Sequence, residues 1–228
     1  MRQTEERKLL RARWTSDLTT AALDSLRKHP IDRTAFPFPP MQIAGQLYID
    51  LRGIRPAETI LHMKSGHIDF SYLTFEGYAG IGLTELSDCR LIGCTYEGNL
   101  SEKFTNCDFS QSKMRRFQAI YGTKFNGCGF HEADLANADC SGVEFVNCDF
   151  GCARFQRAQF FECVFDSCRF ENAIFGNGAF PNCTFRNLKE SLTWIDLPDE
   201  VRVRKTVPGA SVEIEMGKMW MGGVTFEC

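Results

Sequence analysis

The most constraining feature of this chain is a period of five. From Ile120, every fifth residue reads Ile120, Phe125, Phe130, Leu135, Cys140, Phe145, Phe150, Phe155, Phe160, Phe165, Phe170, Phe175, Phe180 and Phe185, fourteen positions of which eleven are Phe. Two residues before each of these centre positions, from Thr123 onward, stands a small residue such as Cys128, Ala133, Ala138, Val143, Cys148 or Cys183. The other three positions are mostly polar. A helix repeats every ~3.6 residues and a flat strand every ~2, so five fits neither. It fits a chain that turns a corner every five residues, four segments closing one square coil. Each segment then sends one small and one large side chain inward. Stacked coils pair as parallel strands about 4.8 Å apart, and every backbone group except those of the end coils finds a partner.

Columns taken at twenty-residue steps support a mainly β, parallel solenoid. One face stacks Phe125, Phe145, Phe165 and Phe185, and the next stacks Phe130, Phe150 and Phe170 beside Cys128, Cys148 and Cys168. The third places Leu135, Phe155 and Phe175 over Ala133, Ala153 and Ala173, and the fourth holds Ile120, Cys140, Phe160 and Phe180. Like lies on like in each column.

The register is regular over 118–187 and broken upstream. Ile49-Asp50-Leu51-Arg52-Gly53, Ile68-Asp69-Phe70 and Leu73-Thr74-Phe75 are good single units. The frame shifts at 77–83 and needs a deletion or a loop at 96–104. Phe109 to Ile120 is one residue longer than two repeats, which predicts a bulge near Lys113–Gln118 with Met114, Arg115, Arg116 and Phe117 turned outward.

Segments such as Ala133-Asp134-Leu135-Ala136-Asn137, Ala138-Asp139-Cys140-Ser141-Gly142 and Cys148-Asp149-Phe150-Gly151 resemble the pentapeptide repeat family. Its unit is a small residue, Asp or Asn, Leu or Phe, then two polar residues. The resemblance covers about residues 68 to 187, and it implies a right-handed quadrilateral β-helix. Among family members, the Qnr and MfpA types protect DNA gyrase and topoisomerase IV as rod-shaped mimics of DNA, and others serve as effectors or scaffolds. The resemblance therefore implies a non-enzymatic, bacterial protein-binding rod. One reading is a topoisomerase binder giving antibiotic resistance or self-immunity; the alternative is an effector or scaffold. Family members often dimerise through their C-terminal ends, which implies a homodimer through the C-terminal segment here.

Three segments follow. Residues 1–46 hold an N-terminal amphipathic helix and a Pro-rich connector, 47–188 the β-helix, and 189–228 a C-terminal β extension that caps or dimerises. Residues 5–28 read as a single helix with Leu10, Trp14, Leu18, Ala21, Ala22 and Leu26 on one side, ended by Pro30. Its expected place is over the first coil, with docking to a partner as the alternative. Downstream, Val201–Arg204 and Val212–Met216 flank Pro208-Gly209 as a hairpin. Met216, Met219, Trp220, Met221 and Phe226 are too apolar to stand free in water.

The eleven Cys suggest a metal or disulfide framework at first sight. Spacing speaks against both. No C-x-x-C occurs, and eight Cys stand two residues before a large apolar residue, on the same face of an extended chain. They read as small buried hydrophobes in a reducing cytoplasm. Cys152 breaks the frame and is the candidate outward thiol. No secretory signal or run of about 18 apolar residues is visible, so no membrane association is expected.

A formal net charge of −3 excludes a strongly basic nucleic-acid binder, and no direct nucleic-acid binding is expected. Acids and bases alternate down the columns, Asp134 before Arg154 and Asp149 before Arg169, so no face is a continuous acidic ladder. His29, His62, His67 and His131 have no partner at catalytic or metal spacing. No catalytic residue, cofactor or metal site is expected. Outside the core, the fourth face carries Tyr121, Phe161 and Pro181 just after the centre position, an apolar exterior that reads as a covered surface or a protein-binding face.

Overall fold

The computed structural model describes residues 2–28, 30–57, 60–61, 64–75, 81–96 and 98–187, together with short strands at 202–203, 214–215 and 225–227. The chain forms a mainly β, parallel solenoid of about six turns with two helices at its N-terminal side.

Each wall is a ladder of short parallel strands. On the first face Lys103↔Lys124, Phe104↔Phe125, Phe125↔Phe145, Phe145↔Phe165 and Phe165↔Phe185 stand in register. On the fourth, Leu100, Ala119, Cys140 and Phe160 follow one another. The rings lie nearly flat on one another: Phe104, Phe125, Phe145, Phe165 and Phe185 have centroids 4.9, 5.1, 5.0 and 4.7 Å apart. The second face repeats this with Phe109, Phe130, Phe150 and Phe170 at 5.0, 4.9 and 5.2 Å. Coil spacing therefore sets ring spacing. Neighbouring faces meet edge-on, as with Phe145 and Phe150 at 5.4 Å and 73°, which suits the ring quadrupole. All these rings are buried. Each is worth about 1.5–3 kcal/mol of transfer energy.

The corners obey the same period. Asn137, Asn147, Asn172, Asn177, Asn182 and Asn187 all have φ between 50° and 57°, and Cys152, Arg157, Glu162 and Ser167 share the conformation. At many corners the centre carbonyl accepts from the residue three on, as Phe130 O does from Ala133 N at 3.0 Å and Phe155 O from Ala158 N at 2.9 Å. A turn with positive φ at its third residue favours Gly and Asn. The Asp before the centre braces the same corners. Asp69, Asp108 and Asp149 accept from the backbone N–H two residues on at 2.8, 2.9 and 2.8 Å.

The cysteines line the inside. All those described are free, and all but Cys152 are buried. Their thiols donate to carbonyls of the coil beneath, for example Cys128 to Phe104 O, Cys148 to Phe125 O and Cys168 to Phe145 O, each at 3.4 Å. Burial pushes the Cys94, Cys140 and Cys168 thiols up.

Of the upstream breaks, the frame shift at 77–83 falls largely outside the described residues. Asn99–Thr105 is one continuous strand holding two centre residues, Leu100 and Phe104, four apart. Over the described residues 98–105 the irregularity is thus the deletion, one of the two alternatives the sequence left open. The bulge expected near Lys113–Gln118 is absent. Met114 and Phe117 are each 1% exposed, whereas Ile120 is 64% exposed. Register shows why: Cys140 pairs with Ala119, so Ala119 is the centre and Ile120 lies outside. The extra residue sits at Ile120–Gly122, where Gly122 has φ +92°. Size is compensated locally. Ala119 and Cys140 are small centres, and Phe117 fills the adjoining position normally held by Ala or Gly.

At the N-terminal side the single helix expected over 5–28 is two helices. Helix α1 spans Arg2–Ala12 and α2 spans Ser16–Leu26. The Thr15 side chain caps α2, accepting from Leu18 N at 3.2 Å. The break is held by long-range bonds: Arg13 donates to both carboxylate oxygens of Asp50 at 2.8 and 2.6 Å, and Trp14 Nε1 donates to Arg52 O at 2.8 Å. Restarting at Ser16 changes the buried stripe. Ala22, Leu23 and Leu26 join the solenoid core beside Ile49, Leu51 and Ile54, while Ala21 is exposed. So α2 closes the open end of the first coil, and α1 packs on its corner at Gly53, where a Cβ would lie 2.8 Å from the Leu10 carbonyl. A hairpin of Met41–Ile43 with Gln46–Asp50 covers the first edge, turning at Ala44 and Gly45, both of positive φ.

Beyond Asn187, Arg202–Val203 pairs antiparallel with Ile214–Glu215, and Thr225–Glu227 adds a parallel strand to Thr184–Arg186. Met216, Met219, Trp220 and Met221 lie outside the described residues, as do His29 and His62. No described helix is long and apolar enough to cross a membrane.

Candidate functional site

With rings filling the space between the walls, the exterior columns are where a site is to be sought. Three faces mix acids with bases. On the first, Glu85 lies between Lys64 and Lys103 at 2.8 and 3.6 Å, and Glu144 faces Lys124 at 2.8 Å. On the second, Asp69 and Arg90 are 3.4 Å apart, and Asp149 stacks between Gly129 and Arg169. On the third, Lys113, Asp134 and Arg154 alternate, with Arg115 on Asp134 at 2.6 Å. None of these columns is an acidic ladder.

The fourth face differs. Tyr121 is 62% exposed and Phe161 39%. Ile120 joins them, a residue that period-five counting assigns to the core. The signal that would have placed it is the run of Gln118-Ala119: putting a small centre at Ala119 satisfies the twenty-one-residue step to Cys140. Tyr121 swings over Gly142, where a Cβ would run into its ring, and its hydroxyl donates to a Glu162 carboxylate oxygen. That bond raises the phenol above its ordinary range. Pro181, expected outside with them, is buried. The apolar surface therefore consists of Ile120 and Tyr121 on one coil and Phe161 two coils on, with Ser141 and Gly142 on the coil between.

The remaining sequence candidates fall apart in space. Cys152 sits on a corner with φ +56° and is half-buried. His131 is exposed, 3.8 Å from its neighbour Glu132. Among the described residues no group of three or more His, Cys, Asp or Glu is placed to hold a metal ion.

The pentapeptide repeats family model matches residues 121–151 and 140–177, in eight copies. No curated protein matches the chain. Among solved structures, a trypsin-treated form of QnrB1, described as a plasmid-mediated fluoroquinolone resistance protein, is 17% identical with a TM-score of 0.46, covering 78% of this chain and 90% of its own. HetL, described as a pentapeptide repeat protein involved in heterocyst differentiation regulation in the cyanobacterium Nostoc, is 11% identical with a TM-score of 0.23, covering 79% of this chain and 87% of its own. Both likenesses are too distant to bear on function. The strict five-residue period, the left-handed corner that follows the centres and the family match meet on the same coils: residues 121–177 carry the repeats that the pentapeptide repeats family model describes.

Proposed function

We propose that the protein works without chemistry of its own, as a rigid β-helical rod that binds another protein through its fourth face. The observation that carries this is the exposure of Ile120, Tyr121 and Phe161 on one face, seated on a wall whose backbone is paired above and below. Aromatic residues held rigid lose little entropy on contact, which makes them efficient anchors. Free buried thiols suit a reducing compartment such as the cytoplasm. The DNA-mimic version, with gyrase or topoisomerase IV as partner, draws less support from this geometry, because acids and bases alternate on the charged faces.

The test places a photo-crosslinking residue at position 161 and, separately, at position 154 on the third face. Purified gyrase is assayed in parallel for supercoiling with a quinolone, with wild-type protein and with Phe161→Asp. Cross-links to a defined protein from 161 and not from 154 support the reading. If gyrase is also protected by the wild type and not by the variant, gyrase is that partner. Cross-links formed only from 154 overturn it.

A further inference from the structure

The N-terminal helix does more than pack. It crosses the third face, where Arg7 donates to Thr95 Oγ1 at 3.0 Å and Arg11 donates to Thr74 Oγ1, two successive coils of one column. Between the helix and that wall lies a cleft of about 650 Å³ lined by Arg7, Lys8, Arg11, Arg55 and Lys113. No carboxylate lines it. Glu5 pairs with Lys8 at 2.9 Å, and Glu6 is turned toward Arg52 at 4.0 Å. Among the described residues Arg7, Arg11, Arg55 and Lys113 have no ion pair, in contrast to Arg13, whose guanidinium is held by Asp50. The Nε atoms of Arg7 and Arg11 are buried and have no hydrogen-bond partner.

Four unneutralised cations around one cleft repel one another. Burial, with Arg7 and Arg55 nearby, pulls Arg11 down to about 10. Leaving buried guanidinium N–H groups unpaired adds a desolvation cost. A planar guanidinium anchored at one end by a threonine hydroxyl keeps its terminal amino groups in a fixed orientation, and these, not the buried Nε, are the donors a tetrahedral oxyanion would meet. The cleft is within the volume range of small-molecule sites.

We infer that this cleft binds the phosphate group of a small soluble ligand, with Arg7 and Arg11 as the fixed donors and Arg55 and Lys113 closing the opposite side. The site is on the third face and is independent of the protein-binding surface proposed for the fourth.

Arg7 and Arg11 also tie the helix to the wall, so the discriminating variant is Arg55→Gln/Lys113→Gln, both exposed positions. Inorganic phosphate and pyrophosphate are titrated by calorimetry into the full chain at constant ionic strength, with chloride as balance. Thermal unfolding is followed in the same buffers. The expected result is saturable binding, at least tenfold weaker in the double variant, whose melting without phosphate is no lower than the wild type's because two of the repelling charges are gone. Occupancy at a hundredfold excess should raise Tm by about 5 °C or more in the wild type alone. Equal effects of phosphate and chloride at matched ionic strength would overturn the assignment, and so would phosphate binding that the double variant leaves intact.

Discussion

Asn172 and Phe150 show how differently two positions of one repeat contribute. Phe150 is buried between Phe130 and Phe170, and Phe150→Ala removes both stacks and leaves a cavity the neighbouring coils resist closing. It should cost about 3–5 kcal/mol in urea unfolding. Asn172 touches no core, yet its φ of +56° is a conformation that a β-branched residue resists. Asn172→Val is expected to cost about 1–2 kcal/mol, while Asn172→Gly stays near wild type. Asp149→Ala should cost about 1 kcal/mol, since it leaves the Gly151 N–H without its 2.8 Å acceptor. The Phe positions were legible because burial demands large apolar side chains at a strict period. The corner Asn residues were not, because three polar positions look interchangeable in a sequence and only φ separates them.

At the scale of elements, the N-terminal segment is attached to the solenoid by a charged clamp. Asp50 is buried, which works against its charge, but bonds from Arg13 and Arg52 outweigh this and hold its carboxyl down at about 2. A carboxyl with a folded value below its unfolded one stabilises above about pH 4, and this is lost as pH falls toward 2. The amount at stake is on the order of 2 kcal/mol. Melting curves from pH 5 to pH 2 should show that loss, and Asp50→Asn should be less stable at pH 6 with a flatter profile. Thr15→Ala should cost about 1 kcal/mol through the cap of α2. Apolar spacing located helical structure in residues 5–28 but not the interruption at Arg13–Thr15. The groups holding that interruption, Asp50 and the Arg52 carbonyl, lie nearly forty residues away, beyond the reach of local periodicity.

At the scale of the whole molecule, the solenoid is open at both ends and each end needs an edge covered. The Met41–Ile43 hairpin and α2 serve the first coil, and Thr225–Glu227 pairs with the last at Thr184–Arg186. Truncation after Asn187 uncovers that edge, and size-exclusion chromatography should show self-association that the full chain lacks. The coil itself was determined by sequence alone. A period of five, with small and large residues alternating inward, has no other way to bury its Phe and satisfy its backbone together. Tertiary structure decided the rest. It placed Ala119 and not Ile120 in the core, because a coil must match the register of both neighbours and Cys140 pairs with Ala119. It buried Pro181 and left Ile120, Tyr121 and Phe161 as the apolar surface. It also brought Arg7 and Arg11 beside Arg55 and Lys113, residues that nothing in the sequence joins, because a helix laid across successive coils meets them in space.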